Sequence, residues 1–426
     1  MISAPGPPGP FESLYMQFPI ADVRAQFPAL STKDGDRPRI YFDAPGGTQI
    51  CSAAIDRMCR HLRHGTANDG GAFQSSRDTE QLVDAAHAAM ADLLGGHPDE
   101  IAFGANMTSL TLSVSRALAL EWNAGDELVV TRLDHDANIA PWLLVARDRG
   151  MTVRWLDFDP DTGRLELDDL PNLLGPRTRL VAVGGASNAI GTLNDVAEVC
   201  RIVRHHSQAM VFVDAVQSVP HGVTDVQALG CDMLVCSPYK FFGPHQGVLW
   251  ARRALIERLD AYKVRPASIV PPAARLETGT QSFEAQAGVL GTIEYLEWLS
   301  GRLGKSDGSR RDRLGHALQA CERYERTLGE RLLSGLSSIE NLKLWGPSSM
   351  EGRVPTFSFI LPNHAPEEVA TFLADKGICA WSGSFYAIEV VDRLGLSEKG
   401  GLVRVGLCHY HTHAEVDELI AALHQL

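Results

Sequence analysis

The sequence predicts an α/β fold with a mainly parallel sheet that is covered by helices on both faces. The first observation is that apolar runs alternate with amphipathic stretches through the middle of the 426-residue chain, a pattern typical of parallel sheets. The second is that polar residues directly follow several apolar runs, at the sheet edge where ligands bind in such folds. The third is a change of pattern near residue 301, after which short strands and two helices predict a smaller C-terminal α/β domain.

The elements of the large part are predicted in chain order. Two helices, 52–64 and 79–94, are expected ahead of the sheet. The predicted strands are short and apolar, and they comprise 127–131, 153–156, 180–183, 211–213, 233–236 and 248–250. The helices expected between them are amphipathic, and they include 108–122, 137–149 and 195–206.

The C-terminal part is predicted to begin with a polar, glycine-containing loop at 301–315. A long helix, 314–333, is expected to follow. The remaining predicted elements are the strands 342–345, 356–361 and 403–407 and the helices 367–376 and 414–426. We expect three parts: 1–45, a tail and a segment packing with the small domain; 46–300, the large domain; and 301–426, the small domain.

Composition excludes several classes of partner. The net charge is −13 and no basic run is present, which argues against nucleic acid or an anionic membrane as a partner. The longest uncharged stretch, 180–194, is too short and too rich in glycine to span a bilayer. The eight cysteines form no Cys-x-x-Cys pair and the N-terminus lacks a signal-peptide pattern, so we expect reduced thiols in the cytoplasm.

Two residues at predicted strand ends indicate a cofactor. Asp214 ends one apolar run, and Lys240 follows the next run through Ser237. A lysine amine can form a Schiff base with an aldehyde, and an aspartate can keep a pyridine nitrogen protonated. Alone, the lysine is also compatible with a solvated surface position and the aspartate with a helix cap. Together they predict a site for pyridoxal phosphate.

Neighbouring polar groups suit the rest of this cofactor. Gln217 lies three positions beyond Asp214 and can reach a phenolic oxygen, and Ser237 can donate its hydroxyl to a phosphate. The segment from Asn106 opens a predicted helix, whose free N–H groups favour a phosphate together with the hydroxyl of Thr108. Ordinary capping by Thr108 is the alternative interpretation.

Three further residues offer contacts to a cofactor ring and a substrate. His135 follows the strand 127–131 and can stack on a pyridine ring and exchange protons, or serve as a cap. Asn188 can bond the phenolic oxygen or a substrate carboxylate. Arg404 is charged within an apolar strand and needs an anion, either a substrate carboxylate or a structural ion pair.

Two histidine-containing segments offer the residue types of a metal site. One is the Asp-His-Asp sequence at 134–136, and the other carries His409, His411 and His413. The sequence favours polar or capping roles for the first and a partly exposed strand end for the second. We therefore expect no bound metal.

Taken in order, these motifs resemble the class V aminotransferase-like family of pyridoxal-phosphate enzymes, and within it the cysteine desulfurases. The resemblance runs from Tyr41-Phe-Asp43 to the C-terminus. It implies the type I fold of pyridoxal-phosphate-dependent transferases, with a sheet of the seven-stranded type. It also implies a homodimer whose active sites lie at the subunit interface.

The resemblance implies a role for each matching residue. Lys240 would carry the cofactor and move protons, and His135 would stack on the cofactor ring. The implied cofactor-binding residues are Met107, Thr108, His135, Asn188, Asp214, Gln217, Ser237, Tyr239, Lys240 and Thr280, the last of these acting on the phosphate in the other subunit. Asn188 and Arg404 would orient the substrate carboxylate, with Trp381 and Tyr386 lining the substrate entrance.

Two departures from the family pattern bear on the reaction. Tyr239 stands where the family has a histidine before the lysine, and it cannot supply a cation. In the C-terminal part, Tyr386 takes the place of the catalytic cysteine of desulfurases, and Trp381 takes that of an arginine. Cys379 is expected in the core and Cys408 on a strand, rather than on a mobile loop.

These departures favour a lyase. β-Elimination needs only Lys240 as a base, because a thiolate is a reasonable leaving group. We expect cleavage of cysteine or an S-substituted cysteine into a thiol, pyruvate and ammonia, with bulky substituents lying beside Trp381 and Tyr386. The alternatives are decarboxylation-linked deamination or aminotransfer of a related amino acid, a true cysteine desulfurase, and an inactive dimeric scaffold.

Overall fold

The computed structural model describes residues 18–426, and it contains two main sheets. A two-stranded hairpin precedes them, formed by β1 (Lys33–Asp34) and β2 (Arg37–Pro38). The large sheet comprises β3 (Ile101–Gly104), β4 (Glu127–Thr131), β5 (Thr152–Leu156), β6 (Thr178–Gly184), β7 (Met210–Asp214), β8 (Met233–Cys236) and β9 (Gly247–Ala251). The predicted tail at 1–17 lies outside the described residues.

The large sheet is mainly parallel, as the sequence predicts. Its strand order is β3-β9-β8-β7-β6-β4-β5, and the pairs from β8 to β5 are parallel. The exception is β9, which runs antiparallel to β3 and β8. All six predicted strands are present, whereas β3 was not predicted, because its four residues are too few to show a period.

Helices cover both faces of the large sheet. In chain order they are α1 (Ile20–Arg24), α2 (Ser52–His64), α3 (Gln74–Leu94), α4 (Met107–Ala119), α5 (Ala140–Arg149), α6 (Leu170–Leu173), α7 (Val196–His206), α8 (Val226–Leu229), α9 (Arg253–Arg258) and α10 (Phe283–Arg302). Two hydrophobic clusters form the core on the two faces. Successive residues of β7 divide between them, with Val211 and Val213 in one cluster and Phe212 in the other. This alternation buries both faces of the central strands, as expected for a doubly covered sheet.

The C-terminal part contains an antiparallel sheet of order β10-β11-β13-β12. Its strands are β10 (Lys343–Trp345), β11 (Thr356–Ile360), β12 (Trp381–Gly383) and β13 (Leu402–Gly406), and its helices are α11 (Arg310–Ser337), α12 (Pro366–Ala374), α13 (Ile388–Arg393) and α14 (His413–Leu423). The three predicted strands and the antiparallel pairing are confirmed. The edge strand β12 was missed, since it is only three residues long and pairs solely with β13.

The predicted loop at 301–315 is wrong over its second half. Helix α11 already begins at Arg310 because Ser309 and Asp312 form a capping box, in which each side chain accepts from the other residue's N–H. That reciprocal cap satisfies N–H groups that a charged sequence otherwise leaves to water. The connection between α10 and α11 is therefore short, from 303 to 309.

The histidine segment is also corrected. Strand β13 ends at Gly406, and the residues beyond it form a turn in which His409 and His411 are buried rather than partly exposed. His409 Nε2 lies 2.6 Å from the Tyr295 hydroxyl, and His411 Nε2 lies 3.0 Å from the Tyr41 carbonyl. Within residues 18–426 there is no metal-binding group of three or more histidine, cysteine or acidic side chains.

The segment between residues 18 and 45 contacts the small sheet. Ile40 forms a parallel bridge with Ile378, and Asp43 forms one with Gly406. Across residues 18–426, the structure contains no helix with the length and apolar character needed to cross a membrane.

Candidate active site

Four strands of the large sheet end at the same edge and carry the predicted site residues. His135 follows β4, Asn188 follows β6, Asp214 is the last residue of β7, and Lys240 lies in a short 3-10 turn after β8. These strands are mutually parallel neighbours, so their carboxyl ends meet at one edge, where α/β folds bind ligands.

Lys240 is buried in the middle of this edge. Its Nζ donates a hydrogen bond to the Pro45 carbonyl and lies 4.8 Å from the centroid of the Tyr239 ring. Burial lowers the pKa of Lys240 to about 7, and the positive charge of Arg404 acts in the same direction, whereas Asp214 and Asp43 oppose it. The amine can therefore exchange a proton near neutral pH.

Asp214 lies beside a second buried carboxyl group. Its Oδ1 accepts from the Val216 N–H at 2.9 Å, and burial raises its pKa to about 6. Asp134 accepts from the Gly184 N–H at 2.8 Å and from Asn138 Nδ2 at 2.7 Å. Burial, and then the charge of Asp214, raise the pKa of Asp134 to about 7. Gly184 is the register partner of Asp214, so Asp134 sits on the adjacent strand end.

A segment from Asp43 to Thr48 crosses over the lysine. The Pro45 carbonyl accepts from Lys240 and also from Gln217 Nε2 at 2.8 Å. A Cβ atom at position 47 would lie 3.3 Å from the Tyr239 ring, so glycine there permits the close approach. The crossing places Gln217 and Lys240 under one backbone oxygen.

Arg404 and Asn188 form the substrate-facing side of the site. Arg404 Nη1 donates to the Asn188 carbonyl at 2.9 Å, and its guanidinium lies 4.1 Å from the centroid of the Phe385 ring. The buried atoms Arg404 Nε and Asn188 Oδ1 have no hydrogen-bond partner among residues 18–426. A guanidinium that is held by a carbonyl and keeps a free N–H suits an incoming carboxylate better than a structural ion pair.

Burial without an anion also changes the acidity of this arginine. It lowers the pKa of Arg404 to about 9, with Asp43 acting in the opposite direction. Asp43 Oδ1 is itself buried without a hydrogen-bond partner among residues 18–426, and burial raises the pKa of that carboxyl group. Both groups gain from a ligand that brings complementary charges.

His135 carries its proton on the nitrogen that faces away from the backbone. Its Nδ1 accepts from the Ala137 N–H at 3.0 Å, which leaves the proton of the neutral ring on Nε2. Burial lowers the pKa of His135 to about 4, and the positive charges of Lys240 and Arg404 act in the same direction. The imidazole is therefore neutral throughout the physiological range.

The predicted phosphate end is built from a helix start and the turn after β8. Asn106 caps α4 by accepting from the Ser109 N–H at 2.8 Å. The cap is thus Asn106 rather than Thr108, which the alternative interpretation required. Met107 donates its N–H to Ser237 Oγ at 3.4 Å, and Thr108 is exposed beside it. Tyr239 stacks on His245 with ring centroids 4.8 Å apart.

Two predicted residues line the entrance, and one lies apart from it on the surface. Trp381 is 53% exposed and Tyr386 is 72% exposed. The Tyr386 ring lies 5.5 Å from His135 at an interplanar angle of 25°. Thr280 is exposed in the segment before α10, so any contact of Thr280 with a phosphate in another subunit is not described by one chain.

The cysteines are mostly inaccessible. Six of the eight are buried, and Cys59 and Cys379 are partly exposed. Burial raises the pKa of Cys379 and, more strongly, that of Cys408, so neither favours the thiolate form.

Several residues of the site were not predicted. Asp134, Asp43, Pro45 and Phe385 all contact or face the predicted residues. Asp134 had a signal, because it directly follows the strand that carries His135. Pro45 and Phe385 act through a backbone carbonyl and an aromatic ring far away in sequence, and such contacts have no local pattern.

The residues present fit pyridoxal phosphate. A buried amine with a lowered pKa, a buried carboxyl group and an imidazole lie at one sheet edge, where the cofactor's aldehyde, ring nitrogen and ring face would need them. The unpaired atoms Asn188 Oδ1 and Arg404 Nε lie on the side left for a substrate.

Comparison with known proteins agrees with this site. The family described as aminotransferase class-V matches residues 40–419. The chain is 34% identical to an uncharacterized protein of Mycobacterium tuberculosis, over 96% of this chain and 100% of the relative. It is 30% identical to a cysteine desulfurase of Serratia proteamaculans, over 96% and 99% of the two chains.

The fold has a close counterpart among solved structures. The apo structure of a cysteine desulfurase from Thermococcus onnurineus superposes with a TM-score of 0.85 at 26% identity, covering 96% of this chain and 98% of the other. The large sheet flanked by helices is the type I fold of pyridoxal-phosphate enzymes. The chain is therefore a member of the class V aminotransferase family, an enzyme related to cysteine desulfurases whose cofactor is pyridoxal phosphate.

Proposed function

We propose that this enzyme is a C–S β-lyase that acts on cysteine or an S-substituted cysteine. The observation that carries the proposal is Tyr386, which occupies the loop position where the resemblance to desulfurases requires a cysteine. Cys408 is buried, and Cys379 lies on the small-domain side beside Ile378. With the cofactor-binding residues intact and no thiol at the entrance, elimination is the reaction that this set of side chains supports best.

The chain's own residues would divide the work as follows. Arg404 and Asn188 would hold the substrate carboxylate, because they present buried unpaired polar atoms at the site. Asp214 would keep the cofactor nitrogen protonated, Gln217 would bond the phenolic oxygen and His135 would pack on the ring. Met107, Thr108, Ser237 and Tyr239, together with Thr280 of the partner subunit, would hold the phosphate.

Bound pyridoxal phosphate supplies an electron sink that acidifies the substrate Cα–H bond. Lys240 is the base proposed to take that proton, since its pKa of about 7 lets the amine accept protons near neutrality. The electron pair then leaves with sulfur as the Cβ–S bond breaks. The released 2-aminoacrylate hydrolyses to pyruvate and ammonia.

The proposed substrate carries a bulky sulfur substituent. Trp381 and Tyr386 leave apolar aromatic surface exposed at the entrance, which can contact a large group that extends out of the site. The proposal includes a homodimer and a cytoplasmic location.

A product assay tests the proposed function. The holoenzyme is incubated separately with cysteine, S-benzylcysteine, and alanine plus a 2-oxo acid, and thiol, pyruvate, aldehyde, carbon dioxide and new amino acid are measured. We expect thiol and pyruvate in equal amounts from the cysteine conjugates. Lys240→Ala should abolish both products, whereas Lys343→Ala, at an exposed lysine of β10, should leave them unchanged.

Other product sets would contradict the lyase. Aldehyde with carbon dioxide indicates decarboxylation-linked deamination, and a new amino acid from the 2-oxo acid indicates aminotransfer. Alanine with persulfide from cysteine indicates a desulfurase. A protein that binds no cofactor and converts none of the substrates would be a scaffold.

A further inference from the structure

The loop tip at the entrance holds two successive non-glycine residues in the left-handed backbone conformation. Phe385 has φ 57° and Tyr386 has φ 59°. Bulky side chains avoid this region, and each such residue costs on the order of 1 kcal/mol. Such strain persists only where surrounding contacts determine the conformation.

Three contacts hold this tip, and all three come from the site. Asn188 Nδ2 donates to the Phe385 carbonyl at 2.8 Å, and the Asp136 N–H donates to the Tyr386 carbonyl at 2.7 Å. The Phe385 ring packs under the Arg404 guanidinium at 4.1 Å. The backbone of Tyr386 is therefore fixed relative to the residues that would bind the substrate carboxylate.

Burial of the Tyr386 side chain does not explain the strained conformation. The side chain is 72% exposed, so its ring gains little from leaving water. Its one aromatic neighbour of note is His135, at 5.5 Å. The loop thus spends conformational energy to hold a phenol at the mouth of the site, beside the imidazole.

The position of this phenol relates it to the sulfur of a bound substrate. The carboxylate would lie at Arg404, which touches the residue before Tyr386, and Lys240 and Asp214 fill the depth of the site. A sulfur substituent must then extend toward the mouth, past Tyr386. We propose that the Tyr386 hydroxyl is the group that protonates the leaving sulfur.

The step is balanced without any further reactant. The Cβ–S bond breaks with its electron pair on sulfur, and the proton moves from Tyr386 Oη to that sulfur, which releases a neutral thiol. Lys240 holds the proton taken from Cα. The phenolate regains a proton from the solvent to which Tyr386 is exposed, so the enzyme returns to its starting state.

This role rests on the proposed lyase function, and it is tested with Tyr386→Phe. That variant removes only the hydroxyl, because phenylalanine keeps the ring and the left-handed residue. Two substrates are compared, S-ethylcysteine, whose alkanethiolate is a poor leaving group, and S-(4-nitrophenyl)cysteine, whose arenethiolate is a good one. We expect kcat to fall about 100-fold for the first substrate and about threefold or less for the second, since general acid catalysis matters most for poor leaving groups.

Controls separate this role from folding and binding. Tyr262→Phe removes the hydroxyl of another exposed tyrosine and should change neither rate. The melting temperature, the visible absorbance of the bound cofactor and KM should stay at the wild-type values in Tyr386→Phe.

Two outcomes would overturn the assignment. An equal loss of kcat for both substrates would indicate a positioning role only, and unchanged rates for both would show that the hydroxyl is not used. Failure of the wild-type enzyme to release either thiol would instead refute the proposed lyase function, and this role with it.

Discussion

Burial controls the protonation of single residues at this site. The pKa values of Asp214 and Asp134 are raised to about 6 and about 7, and that of Lys240 is lowered to about 7. In each case removal from water is the largest cause, because a low-dielectric site disfavours the charged form of acids and bases alike. Groups whose protonation changes near pH 7 are those that can transfer protons in the cell.

The lowered pKa of Lys240 gives a prediction for cofactor uptake. Only the neutral amine reacts with an aldehyde, and the neutral fraction rises as pH increases through the pKa. The rate at which the apoenzyme gains visible absorbance with pyridoxal phosphate should therefore increase through about pH 7 and level off above it. Arg404→Gln removes a nearby positive charge and should move the midpoint upward. A midpoint close to the ordinary lysine value of about 10.4 would contradict the burial argument.

Tyr386 gives a second prediction at the level of one residue. If it occupies the position of the desulfurase cysteine, Tyr386→Cys should place a thiol against the substrate sulfur. With cysteine as substrate, the products should shift from sulfide and pyruvate toward alanine and an enzyme-bound persulfide, which a cyanolysis assay detects. Tyr386→Ser is the matched control and should form no persulfide. Absence of alanine from the cysteine variant would place the equivalent position elsewhere in the loop.

Among the elements, α2 and α10 make the closest helix contact. A Cβ atom at Gly291 of α10 would lie 2.3 Å from the Ala53 carbonyl of α2. This distance is sterically forbidden, so the two helices pack backbone to backbone only because the residue is glycine. Both helices precede or follow the large sheet in sequence, and their contact closes its outer layer.

A pair of substitutions in α10 tests this contact. Gly291→Ala should destabilise the protein by about 2–3 kcal/mol, because overpacking forces the backbones apart. Gly301→Ala is the control in the same helix, where the added atom meets only Ser306 Oγ at 3.3 Å, and it should change stability by less than about 1 kcal/mol. Urea unfolding measures both. Equal midpoints for the two variants would show that α2 and α10 separate without loss of stability.

For the whole molecule, we propose the division into 1–45, 46–300 and 301–426 and a homodimer. The bridge of Ile40 to Ile378 and the bond of Arg24 to Glu415 support packing of the first part with the small domain. Apolar side chains remain exposed shortly before Thr280, with Val264 at 63% and Val270 at 74%. Such surface is typical of an interface.

A hybrid dimer tests whether Thr280 serves the other subunit. Subunits carrying Lys240→Ala and subunits carrying Thr280→Ala are each expected to have low activity, the first from loss of the amine and the second from weaker phosphate binding. Mixed dimers should regain one intact site, because the partner's Thr280 completes the site that keeps Lys240. About half of wild-type activity per hybrid dimer is expected if sites act independently. No gain on mixing would mean that Thr280 acts within its own chain, or not at all.

The sequence by itself determined the cofactor, the family and most of the central sheet. Strand-end residues such as Asp214 and Lys240 stand beside apolar runs whose period is local, so chain order alone places them at one sheet edge. It also determined that Tyr386 replaces a cysteine, which is a matter of residue type. The helix start at Arg310 was misjudged, because a charged capping box and a loop have similar composition.

Only the tertiary structure decided how the site is assembled. The Pro45 carbonyl over Lys240, the Asp134 carboxyl group beside Asp214 and the Phe385 ring under Arg404 each join residues from separate elements. It also decided that β3 and β12 are strands, since each is too short to show a period and forms by pairing with a distant partner. These features depend on contacts between segments far apart in the chain, and such contacts leave no periodic pattern in the sequence around either partner.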